Sequence, residues 1–153
     1  MLLLKRWQKE IEIDAPMEEV WRLFDQSLEN MQKIMPKVVG HEPIETTEEV
    51  VGSVYRQAYQ EGGRTDEYEV ETLEYVDTDD KKRLKNGFTM SNLFEITTAF
   101  DLIKLDENKT RFIYSTTNKP LKWYVKPFLM FASDKAVVEF VERVKQAAEA
   151  EHE

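Results

Sequence analysis

The chain has 153 residues, 41% hydrophobic and 33% charged, the balance of one folded domain with a real core rather than of a disordered chain. A net charge of -9 argues against nucleic acid, whose phosphates need clustered Lys and Arg. With no cysteine there are no disulfides, thiolate nucleophiles or Cys-based metal sites, and a reducing cytoplasm is the expected compartment.

The apolar start Met1 to Leu4 is broken by Lys5, Arg6, Lys9 and Glu10 before it can resemble a leader. No later stretch approaches the roughly 18–20 apolar residues that a bilayer-spanning helix needs, so membrane insertion is not expected. From Lys5 to Asp14 the residues alternate, with Trp7, Ile11 and Ile13 on one side and Glu10, Glu12 and Asp14 on the other, which predicts a first strand. Pro16 ends the ladder and opens a short helix through Val20, Leu23 and Phe24, with Glu18 and Glu19 where the helix dipole favours acids. Ser27 is the expected N-cap of a second short helix carrying Leu28, Met31, Ile34 and Met35, stopped by Pro36.

Six further strands are predicted near 38–45, 53–61, 65–77, 82–89, 93–105 and 109–118, divided by turn residues such as Gly62-Gly63 and Asp106-Glu107-Asn108. No helix separates them, so they should pair antiparallel as a meander. Lys81, Lys82, Arg83 and Lys85, the densest basic group, follow Asp77, Asp79 and Asp80 and read as a solvated hairpin. The last element is one long amphipathic helix from Leu129. Its apolar stripe runs through Ala136, Val137, Phe140, Val141 and Val144, and its end should fray from about Ala147. The expected architecture is α+β, a curved antiparallel sheet of about seven strands closing on that helix, in one domain over 1–153.

A two-residue Gly62-Gly63 turn sets Gln57 opposite Tyr68 and Tyr55 opposite Val70, and so puts Tyr55, Tyr59, Tyr68 and Val70 on one face. Phe94, Ile96, Thr98, Phe100 and Leu102, then Phe112, Tyr114 and Thr116, are the matching inner sets of the last two strands. Each tyrosine offers an apolar ring with a hydroxyl that can orient a polar group. In the first turns of the helix, Phe128 and Phe131 lie off the main stripe, so the loops between strands, forming a cavity mouth, or a second protein chain should cover them. Glu95 and Asp101 alternate to the outer face and should keep it soluble. His41, on the second strand, is the one histidine placed to act as proton donor or acceptor. No spacing of His, Asp and Glu suggests a metal, and no cofactor is expected.

The stretch Ile11-Glu12-Ile13-Asp14-Ala15-Pro16-Met17-Glu18-Glu19-Val20-Trp21-Arg22-Leu23-Phe24, together with Val51-Gly52-Ser53-Val54 and Lys109-Thr110-Arg111-Phe112, resembles the START-like superfamily of helix-grip domains. That superfamily includes polyketide cyclase and dehydrase-like proteins and lipid-transfer domains. The resemblance implies two short helices after strand 1, a sheet wrapped round a C-terminal helix, and a cavity between them for an apolar or amphipathic ligand. Its motifs are structural and name no catalytic residue here. The function expected is non-covalent binding or transport of such a molecule, lined by Tyr55, Tyr59, Tyr68, Phe100, Tyr114, Phe128, Phe131 and Val137. One alternative is a cyclase or dehydratase using cavity Tyr and His41. Another is a protein-docking module acting through Phe128 and Phe131.

Overall fold

The computed structural model describes residues 4–125 and 133–152. Strand β1 (Lys5–Ile13) is followed by helix α1 (Met17–Trp21), a 3-10 turn (Arg22–Phe24) and helix α2 (Leu28–Ile34). Strands β2 (Val38–Glu45), β3 (Val54–Glu61), β4 (Arg64–Asp77), β5 (Lys81–Met90), β6 (Phe94–Asp106) and β7 (Lys109–Pro120) lead through a 3-10 turn (Trp123–Val125) to helix α3 (Lys135–His152). The strands form one antiparallel sheet in the order β1-β7-β6-β5-β4-β3-β2, a meander whose first strand returns to pair with the last. The expected α+β helix-grip architecture is therefore present.

Local chemistry explains the elements. The Ser27 side chain accepts from the Asn30 amide at 3.2 Å and caps α2, while Pro16 precedes the first turn of α1. Glu61 pairs with Arg64 across Gly62-Gly63, and Gly62 takes a φ of 63°, which a residue without Cβ adopts at no steric cost. The predicted register holds, with Gln57 opposite Tyr68 and Tyr55 opposite Val70.

The core lies where α3 crosses β1, β7 and β6. Ile13, Leu102, Phe112 and Val144 are fully buried there. Phe24 packs tilted against Phe100 at a centroid distance of 4.8 Å, and Phe140 bridges Phe100, Phe112 and Tyr114. Burying such side chains contributes about 1.5–3 kcal/mol each, the dominant favourable term in this layer. The Thr110 hydroxyl, also buried, donates to the Ala15 carbonyl at 2.8 Å and ties the entry of α1 to β7.

Four features depart from the sequence reading. Lys82 belongs to no solvated hairpin: it is 2% exposed, it points inward against α1, and its ammonium is held by Asp77 and Glu18 and lies 5.9 Å from the Trp21 ring centroid. Alternation puts it on the inner face opposite Leu102, so the charge is kept by pairing rather than by water. Asp101 does face outward, but Arg83 covers it through an ion pair of 2.6 Å and leaves it 8% exposed. Among the described residues α3 begins at Lys135, with Ser133 and Asp134 outside it, whereas the sequence predicts a helix from Leu129; residues 129–132 of that expected helix lie outside the described ones. Residues Trp123 and Tyr124 sit in the 3-10 turn, 79% and 51% exposed. Finally, the end of α3 is tied where fraying is expected: Ala148 is buried, Glu149 accepts from the Asp14 amide at 2.8 Å, and Lys33 pairs with Glu151. Among the described residues no helix is long and apolar enough to cross a membrane.

Candidate functional site

Between the sheet and the first turns of α3 the packing opens into a cavity of about 340 Å³. Its floor is the inner face of five strands: Gln57 and Tyr59 from β3, Tyr68 and Val70 from β4, Asn86 and Phe88 from β5, Thr98 and Phe100 from β6, and Tyr114 from β7. Met31, Met35, Val38 and His41 form one wall, and Ala136, Glu139, Phe140 and Arg143 of α3 form the roof. The surface is mostly apolar, with a few hydroxyls and amides, the composition of a small-molecule pocket. A larger hollow of about 590 Å³ lies on the outer sheet face among Glu67, Glu69, Glu71 and Glu95. It is open to water between solvated carboxylates and gives a ligand little enclosure.

Of the residues chosen from sequence, Tyr59, Tyr68, Phe100 and Tyr114 meet in this cavity. Tyr55 shares their face but borders a separate recess against α1, with Trp21, Gln26 and Tyr75, because it sits farther along β3 and stacks on His41 at 4.6 Å. Val137 is buried without lining the cavity. At 100° per residue, Ala136, Phe140 and Arg143 share the roof stripe while Val137, Val141 and Val144 form the stripe beside it. Phe128 and Phe131 lie outside the described residues.

The side chains that sequence reasoning passed over are Gln57 and the cavity-wall methionines. His41, Gln57 and Tyr68 are direct neighbours across three strands, His41 paired with Gln57 and Gln57 with Tyr68. Their polar atoms form a chain: Gln26 Oε1 lies 2.8 Å from His41 Nε2, His41 Nδ1 lies 2.9 Å from Gln57 Oε1, and Gln57 Nε2 donates to Tyr68 Oη at 2.9 Å. His41 and Gln57 are both buried, so each needs these partners. Gln57 could have been found from the alternation alone, since a glutamine in the inner row Tyr55-Gln57-Tyr59 must satisfy its amide inside the protein.

Burial sets the protonation of the site. It holds the His41 imidazole below its ordinary value, against a smaller opposing pull from Gln57, so the ring is neutral at physiological pH. It raises the Tyr68 phenol, partly offset by Gln57, and pushes Tyr114 up to about 12, with the nearby Thr116 a smaller opposing influence. Both phenols therefore remain neutral hydrogen-bonding groups. At the rim, Arg143 Nη1 donates to the Ile34 carbonyl at 3.2 Å, and Lys37 pairs with Glu61 at 2.9 Å. Among the described residues no cluster of His, Asp and Glu is arranged to hold a metal.

Comparison with known proteins bears on this arrangement. A family model described as "Polyketide cyclase / dehydrase and lipid transport" matches residues 6–149. No curated protein matches the sequence. Among solved structures, an aromatase/cyclase from a Streptomyces species superposes with a TM-score of 0.73 at 14% identity, over 96% of this chain and 94% of that one. Norcoclaurine synthase from Thalictrum flavum, in complex with dopamine and hydroxybenzaldehyde, gives 0.66 at 14% identity, over 99% of this chain and 90% of that one. A major latex-like protein from Panax ginseng gives 0.68 at 17% identity, over 98% of both chains. At these identities the likeness is one of fold.

Proposed function

We propose that this chain, which belongs to the polyketide cyclase / dehydrase and lipid transport family, binds a small apolar or amphipathic molecule non-covalently between its sheet and α3. The observation that carries this reading is the 340 Å³ cavity, walled by Met31, Met35, Val70, Phe88 and Phe100, with tyrosine hydroxyls set among the apolar groups. An apolar guest gains burial against those walls, and the hydroxyls orient any polar group it has. The flexible thioethers of Met31 and Met35 fit such a wall, because methionine adapts to guests of irregular shape.

A cyclase-type enzyme is the second reading, favoured by one observation: the chain from His41 through Gln57 ends at a hydroxyl on the cavity wall. The lining supports binding over turnover. General acid–base catalysis needs a donor and an acceptor whose pKa values lie near the working pH. Tyr68 and Tyr114 are both raised away from it, His41, which also lines the cavity, is held below its ordinary value by burial, and Glu139 sits on the exposed side of the roof.

Native mass spectrometry of the protein purified from its own host tests the proposal. The expected result is an added mass of small-molecule size, released on denaturation. A protein that carries nothing and takes up no apolar compound on incubation contradicts it.

A further inference from the structure

We propose that Arg143 selects the guest of the cavity, holding at its opening the carboxylate of an apolar acid whose hydrocarbon body lies inside. This inference rests on the reading of the cavity as a ligand site and names the class of ligand it takes.

The lining divides into an inner and an outer part. Met31, Val38, Val70, Phe100 and Phe140 are buried, whereas Pro36, Lys37, Ala136 and Glu139 are exposed and Arg143 is half-buried. The opening therefore lies between the α2–β2 connection and the first turns of α3, and it is the charged end of a mostly apolar space. A guest entering there sets its apolar part against the buried walls and leaves a polar end beside Arg143.

The charges around that opening leave one cation over. Lys37 is held by Glu61 at 2.9 Å, and Glu139 lies 3.9 Å from Lys135, so each of these acids has a lysine of its own. Arg143 makes no ion pair among the described residues; its Nη1 donates to the Ile34 carbonyl at 3.2 Å and ties α3 to the end of α2. The stretch 126–132 contains no Asp or Glu, so it brings no counterion either. A guanidinium carries five N–H donors in a fixed fork, of which the Ile34 bond uses one. A carboxylate fits such a fork through two parallel hydrogen bonds. Because Arg143 is only half-buried, the guest's charge keeps part of its hydration there, and the desolvation cost that weakens fully buried pairs is small. Glu139, one turn earlier on the roof, is the one acid among the described lining residues and opposes such a guest.

Titration calorimetry with naphthylacetate and naphthylacetamide, two molecules of nearly the same shape that differ in charge, tests the proposal. At low salt the native protein is expected to bind the carboxylate about tenfold more tightly, the worth of a charge-assisted bond at a half-exposed site. Arg143→Met keeps an apolar stem and removes the charge. The two affinities should then converge to within about twofold, by a loss on the carboxylate side alone. An arginine that only ties α3 to α2 would instead shift both affinities together. Glu139→Gln, at an exposed position, should raise the carboxylate's affinity about twofold and leave the amide's alone. Circular dichroism checks that each variant is folded. If Arg143→Met is not, Glu139→Gln and the erosion of the native preference by added salt decide. Equal affinities in the native protein, a preference for the amide, or a carboxylate preference that survives Arg143→Met would overturn the role of Arg143 and leave the cavity reading intact. Binding of neither probe would overturn both.

Discussion

Under the C-terminal half of α3, Val141, Val144 and Ala148 close down on Ile13, Leu102 and Phe112, whereas under its first turns Ala136, Phe140 and Arg143 roof an open cavity of about 340 Å³. The same sheet serves both ends with the same in-and-out alternation. The difference is in the inner-face side chains: aliphatic and phenylalanine groups fill the space over β1 and β7, while Tyr59, Tyr68, Gln57 and Asn86 stand apart over β3 to β5. Polar tips cannot interdigitate as hydrocarbon does without leaving groups unpaired, so a row rich in them is compatible with an opening. Phe100 and Tyr114, stacked at 5.5 Å, mark the seam between the two regions.

Substitutions on either side of that seam should behave differently. The largest effect is expected from Phe112→Ala in the filled half, a loss of about 3–5 kcal/mol in denaturant unfolding, from lost burial plus a cavity the surroundings only partly close. In the open half, Ala136→Trp at the roof should weaken uptake of an apolar probe at least tenfold, about 1.4 kcal/mol, and move stability by no more than about 0.5 kcal/mol. A stability loss there as large as that of Phe112→Ala would erase the distinction. Ser27→Ala, which removes the cap of the helix carrying Met31 and leads into Met35, should cost about 1 kcal/mol by the same unfolding measurement.

The smallest effect is a pH dependence in the open half. His41 has a folded-state pKa below the unfolded value of 6.5, so the unfolded chain takes up a proton that the buried ring refuses. Stability from this group is therefore complete above about pH 6.5 and is lost as the pH falls below it. Unfolding midpoints followed from neutral to mildly acid pH should decline, and His41→Gln should flatten that part of the curve. Asp25, Glu74 and Glu149, all lowered from a carboxylate's usual value, lose their contributions in a separate, more acid window.

Much of the fold was legible in the sequence because its signals are local. Alternation with Gly and Asn-Asp turns marked every strand, Pro16 and Ser27 marked the two short helices, and the two-residue turn at Gly62-Gly63 set the β3–β4 register. Tyr59 and Tyr68 followed from that register, and Phe100 and Tyr114 from the alternation of β6 and β7. What escaped depended on neighbours distant in sequence. Lys82 is buried because Glu18, 64 positions earlier, comes to meet it, and Asp101 is buried because Arg83 folds over it. Tyr55 shares a face with Tyr59 but is drawn to His41 and to the recess that Trp21 and Gln26 form beside Tyr75. His41 itself could be placed on its strand from sequence, yet its role needed two cross-strand pairings and the return of Gln26.

The most direct test of the central claim uses the four methionines placed by the structure. Met31 and Met35 line the cavity, while Met17 lies in the core and Met90 lies at the far end of β5. With methyl-labelled methionine, titration with acetylnaphthalene should shift the Met31 and Met35 resonances saturably, leave Met17 and Met90 in place, and lose the response in Ala136→Trp. Shifts spread over all four methyls, or no shift of Met31 and Met35 at the solubility limit of the probe, would contradict a ligand site between the sheet and the helix.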